Sequence, residues 1–215
     1  MNRESILQAA RAYVQGQLAH DSSGHDWWHI YRVTELARRL AAAEGADSFV
    51  CELAALLHDI ADEKLNPSAE AGMNKVRDWL AAHEVPAAER DHVLEIIGTM
   101  SFKGGHNPPV RTPEARVVQD ADRLDAIGAQ GIARVFAYAG WKGHLVHDPA
   151  QPPRTDLTAA AYRDGKNTAI NHFYEKLLKL KDLMNTPTAR RLAEDRHRFM
   201  ETYLEQFYGE WEGSR

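Results

Sequence analysis

The chain has 215 residues, a formal net charge of −5, a single cysteine and eleven histidines. Its length supports one good-sized core and no obvious linker divides it, so residues 1–215 read as a single domain. The acidic balance argues against general nucleic-acid binding, which needs surplus Lys and Arg, while a local basic pocket for a small phosphorylated ligand remains compatible with it. Cys51 alone excludes an internal disulfide, and the longest apolar run, Leu53 to Leu57, is far too short to cross a bilayer. With no charged-then-apolar start, a soluble cytoplasmic protein without membrane association is expected.

Taken in order, Ile6, Ala10, Tyr13, Val14 and Leu18 recur at helical spacing and give a first amphipathic helix, ended by the turn-like Asp21 to Gly24. Ile30, Val33, Ala37 and Leu40 form the stripe of a second helix that Gly45 terminates, and His29 falls on its inward face. His25, Asp26, Trp27 and Trp28 stand at or just before its start. Asp47 or Ser48 caps a third helix, expected to run through LAALLHDIADEK to about Ala61. That stretch is apolar up to His58, Asp59 and Asp62, as a buried helix delivering polar groups into a cavity would be.

Ala69, Met73, Val76 and Leu80 mark a further helix, and Val93, Ile96, Ile97 and Met100 the next. Ser101 to Pro113, with two glycines and three prolines, reads as a lid or substrate loop. From Pro113 the chain continues helically, with Asp122 and Asp125 on one face, and Gly128 and Gly131 mark a close crossing or a break between two helices. Trp141 to Thr158 is expected to be a long surface loop. A helix carrying Ala169, Phe173, Leu177, Leu180 and Met184 follows, then a last one with Leu192, Phe199, Tyr203 and Phe207 inward. No stretch alternates with period two. An all-α fold of roughly eight or nine helices is therefore expected.

His29, His58, Asp59 and Asp122 come from three different helices, each on or beside an apolar face. Imidazole and carboxylate ligands together suit a borderline or hard divalent ion, and the lack of cysteine ligands argues against a structural zinc site. Four protein ligands leave a position for water on an ion that prefers six.

The ordered pattern HDWWHIYRV, LLHDIADEK and VVQDADRLDAIGAQGIAR resembles the HD-domain superfamily of metal-dependent phosphohydrolases, an all-α fold. INHFYEKLLKLKDLMNT and the SFKGG loop are similar to a bacterial branch with nucleotide pyrophosphohydrolase activity, so the resemblance covers nearly the whole chain except Trp141 to Thr158. It implies a metal core over 25–130 with C-terminal helices over 158–210 packed on it. It makes His29, His58, Asp59 and Asp122 the ligands of one divalent metal ion, with Mn, Mg, Co, Ni and Fe all admissible. His92 lies in the interval where some relatives hold a second ion. Neither it nor His83 has the flanks of the two-metal branches, and the HD-GYP continuation of cyclic dinucleotide phosphodiesterases is absent.

The implied reaction is attack of a metal-activated water on phosphorus, with Asp59 at the reacting centre and Asp62 orienting or deprotonating the water. Asp125 and Asp26 are expected to support the ligands from behind. Lys64, Lys103, Arg123 and Lys176 are the candidate phosphate contacts. The expected activity is cleavage of nucleoside triphosphates to monophosphate and pyrophosphate. The alternatives are a phosphomonoesterase or phosphodiesterase acting on another phosphorylated metabolite, or a metal-stabilised nucleotide-binding protein without turnover. Monomer and homodimer both remain open.

Overall fold

Why the helices start and stop where they do is visible in their ends. In the computed structural model, which describes residues 2–19, 26–62, 65–102, 109–155 and 167–215, α1 (Arg3–Leu18) is capped by Asn2, whose side chain accepts from the Ser5 amide. Asp26 caps α2 (Trp27–Glu44), and Gly45 closes it in the left-handed region at φ 71°. Asp47 caps α3 (Ser48–Leu57) by accepting from the Phe49 and Val50 amides. Ser68 caps α4 (Ala69–Ala82), and Pro86 precedes α5 (Ala87–Thr99). Pro113 opens α6 (Pro113–Asp125), α7 spans Gly128–Lys142 and α8 spans Ala169–Glu175. Thr186 caps α9 (Pro187–Trp211), with proline in its first turn. The described residues contain no strand, and the fold is all-α.

Two compact units emerge, Met1–Asp122 and Arg123–Arg215. At the centre of the first is α3, whose residues Phe49 to Leu57 are all buried, with α1, α2 and α5 packed around it. This explains the apolar run Leu53–Leu57: a helix surrounded on all sides has no polar face to keep. α3 stops earlier than the sequence pattern suggests. At His58 the chain tightens into a 3-10 turn, His58–Ala61, which packs against α4. Leu57, at φ −95° and ψ −6°, makes the transition. Asn66 then latches the exit, its amide donating to the carbonyls of Ile60 and Asp62, both at 2.8 Å.

In the second unit α7 packs against α8 and α9. The break between α6 and α7 falls at Ala126 and Ile127, and Gly128 restarts the helix at φ 75°. Three expectations need correction here. Trp141 and Lys142 finish α7 instead of opening the surface loop, which begins at Gly143, left-handed at φ 69°. The helix expected over Ala169 to Met184 ends at Glu175 and continues as 3-10 turns over Leu177–Lys179 and Lys181–Leu183. Buried Phe173, Leu177, Leu180 and Met184 keep their inward spacing through these turns, since a 3.0-residue period also brings positions three apart to one side.

The apolar face of α9 is the third correction. Leu192 and Phe199 are exposed, and the buried positions are Ala189, Ala193, Met200 and Leu204. Small alanines let the helix approach closely on that side, which turns the larger Leu192 and Phe199 outward. Tyr203 keeps its inward role, stacked on Phe173 at 5.8 Å between ring centres.

Candidate metal centre

Three elements of the first unit deliver the predicted ligands: α2 brings His29, the 3-10 turn brings His58 and Asp59, and α6 brings Asp122. The Asp59 carboxylate spans both imidazoles, with Oδ1 3.2 Å from His58 Nε2 and Oδ2 3.5 Å from His29 Nε2. Asp122 Oδ1 lies 3.6 Å from His29 Nε2 and 3.9 Å from His58 Nε2. Ligand atoms of His29, His58 and Asp59 all lie within 4.8 Å of one another. Side-chain exposure rises from 1% at His29 through 7% at His58 and Asp59 to 34% at Asp122, so the cluster opens toward solvent at the Asp122 edge.

The orientation of His58 has a specific cause. Its Nδ1 lies 2.8 Å from the Ala55 carbonyl, which can only accept, so Nδ1 carries the proton. In the neutral ring Nε2 then turns a lone pair into the cluster, toward the Asp59 and Asp122 carboxylates. His29 is fixed through its backbone, whose amide donates to Asp26 Oδ1 at 2.9 Å. Asp26 is thus the N-cap of the helix that carries His29.

These features fit a divalent ion. Two nearly dry imidazoles and a buried carboxylate beside a second carboxylate bring four groups of metal-ligand type to one place, with ligand atoms of His29, His58 and Asp59 within 4.8 Å of one another. Atoms bound to one ion at about 2.1 Å sit about 3 to 3.4 Å apart, close to the spacings found here. Imidazole nitrogen with carboxylate oxygen, and no thiolate, is the donor set of an ion that retains exchangeable water.

The remaining candidates are placed as follows. Asp62 follows the 3-10 turn in extended conformation, its amide donating to the Asp59 carbonyl at 3.0 Å, and it is part-buried. Asp125, three residues after Asp122, is buried and has its carboxylate 3.0 Å from Nη1 of the half-buried Arg134. Arg123 donates to the Leu183 carbonyl, and Lys176 follows α8 in the second unit. Lys64 and Lys103, with most of the SFKGG loop, lie outside the described residues. His83 stacks on Trp79 at 3.9 Å, and His92 Nε2 pairs with Thr112 Oγ1 at 2.8 Å.

Sequence reasoning missed the Ala55 carbonyl, a backbone group without any signal in residue type. It also missed Glu175, a fully buried carboxylate that accepts from Arg154 Nη2 at 2.8 Å and Asn167 Nδ2 at 2.7 Å. Glu175 stands inside the EKLLKLK motif, where lysines drew the attention.

Residues 27–127 match the HD domain family. YpgQ of Bacillus subtilis is 44% identical over 198 residues, covering 91% of this chain and 89% of YpgQ. The crystal structure of YpgQ in complex with ADP superposes with a TM-score of 0.76 at 42% identity, covering 95% of this chain and 97% of that one. An HD-superfamily hydrolase from Bacillus thuringiensis is 50% identical with a TM-score of 0.77, covering 98% and 99%. The symmetrical bis(5′-nucleosyl)-tetraphosphatase of Bacillus subtilis is 31% identical over 79% of this chain and 87% of its own. With relatives this similar along nearly its full length, the chain belongs to the HD-domain family of metal-dependent phosphohydrolases.

Proposed function

We propose that this chain hydrolyses nucleoside triphosphates to a monophosphate and pyrophosphate, with one divalent ion held by His29, His58, Asp59 and Asp122. The observation that carries the reading is the cluster of two histidines and two carboxylates, with His29, His58 and Asp59 buried and Asp122 reaching solvent. A divalent ion there lowers the pKa of bound water and offsets phosphoryl charge. The nucleotide class is supported by the likeness to YpgQ, crystallised with ADP.

The side chains then divide the work. Asp59, seated between both imidazoles, holds the centre in register, and Asp26 fixes the helix start that aims His29. Asp62, one turn on, receives the proton of the attacking water as the new P–O bond forms, and the broken phosphoanhydride leaves as pyrophosphate. Asp125 holds Arg134 and so steadies the end of α6 just beyond Asp122. Lys64, Lys103, Arg123 and Lys176 are assigned to phosphate oxygens.

A second reading, hydrolysis of a dinucleoside tetraphosphate, is favoured by the 31% identity to the symmetrical tetraphosphatase. A panel of nucleoside triphosphates, dinucleoside tetraphosphates and phosphomonoesters, with products separated chromatographically, decides between them. Pyrophosphate from triphosphates supports the first reading. Two nucleoside diphosphates from the tetraphosphate, with no pyrophosphate from any triphosphate, supports the second.

A further inference from the structure

The first turn of α2 carries an aromatic group that the hydrolytic cluster does not use. Trp28 is 60% exposed and Tyr31 42% exposed, and their rings meet edge to face at 5.9 Å. Trp27, part-buried, also has its ring near that of Tyr31, 6.5 Å between centres. The other exposed indoles are already covered in part: the Lys142 ammonium sits 4.4 Å over Trp141, and Trp211 lies 4.8 Å from His147.

Successive helical residues turn by about 100°. Around α2, the order from the core outward is therefore His29, Arg32, Trp28 and Tyr31, and the burial follows it: His29 buried, Arg32 part-buried, Trp28 and Tyr31 exposed. One side of a single helical turn thus runs from a buried ligand, past a guanidinium, to an open aromatic face. That sequence of chemistries matches a nucleotide, whose anionic phosphates and flat base are separated by a sugar. Two aromatic rings make too small a patch for a stable protein interface.

We infer that Trp28, braced by Tyr31, is the stacking platform for the substrate's nucleobase. This rests on the nucleotide reading above and adds to it the residue that recognises the base. Stacking accepts any base through its π face, so the platform sets affinity for nucleotides as a class and does not select among bases.

The test is calorimetric binding of ADP and of inorganic pyrophosphate to the Mn-loaded protein. In Trp28→Ala the ratio of the ADP to the pyrophosphate dissociation constant rises about tenfold, Tyr31→Ala raises it less, and Trp28→Phe restores most of the loss. Circular dichroism checks that the exposed-site variants fold. The inference is overturned if the unaltered protein binds ADP no more tightly than pyrophosphate, or if Trp28→Ala leaves the ratio unchanged. A protein that binds ADP through Trp28 but turns over no nucleotide would sink the hydrolytic reading and leave the platform standing.

Discussion

His58 shows how much of the centre depends on one proton position. With Nδ1–H given to the Ala55 carbonyl, Nε2 faces inward as a lone pair, and the choice is made by the backbone of the preceding turn. The four proposed ligands were picked out because their residue types stand out against apolar faces, and the structure gathers His29, His58 and Asp59 within 4.8 Å. The acceptor that fixes His58 was not, since every residue carries a carbonyl. His172 makes a separate statement. Burial, with Lys176 and Arg154 adding to it, pushes this imidazole down to about 3. Between pH 3 and 6.5 the unfolded chain therefore binds more protons than the folded one, so stability rises with pH across that window and is lost as pH falls from 6.5. Urea unfolding at pH 7 and pH 5 should show a loss of about 1 kcal/mol per pH unit that His172→Gln removes; the slope stays below the roughly 1.4 kcal/mol of a single proton because the unfolded imidazole is only partly protonated near pH 7.

At the scale of elements, the 3-10 turn His58–Ala61 is held in place by α4. A Cβ added at Gly72 would run into the carbonyl oxygen of Ala61, the last residue of the turn, and lie 2.9 Å from Asn66 Nδ2, the donor of the latch. Gly72→Ala is expected to destabilise the fold by about 2 to 3 kcal/mol and to weaken divalent-ion binding as the turn shifts. Denaturant midpoint and metal titration check the two effects. An unchanged midpoint would show that α4 does not constrain the turn. Ends marked by a capping residue were the more legible: Asp47 and Pro113 at helix starts and Gly45 at the close of α2 act as their residue types predict. Ends set by tertiary contacts were not. The pattern of α3 continues past Leu57 although the chain tightens there, and the α8 pattern continues past Glu175 although that carboxylate is drawn into Arg154. On α9 large residues outweighed alanines in the pattern, while packing preferred the alanines.

Across the whole molecule, the all-α class followed from the absence of period-two alternation, and the family from the order of His29, His58, Asp59 and Asp122. The division into Met1–Asp122 and Arg123–Arg215 had no signal, because α6 crosses the boundary as continuous helix without a linker. All four proposed ligands belong to the first unit. The most direct measurement is a titration of metal-stripped protein with Mn2+, followed by electron paramagnetic resonance, with nucleotide turnover recorded on the same samples. One tightly bound ion per chain, turnover rising in proportion to it, and loss of both by more than about 100-fold in His58→Ala and Asp59→Ala are the expected results. Turnover undiminished without the ion, or ion binding indifferent to His58→Ala and Asp59→Ala, would contradict the assignment.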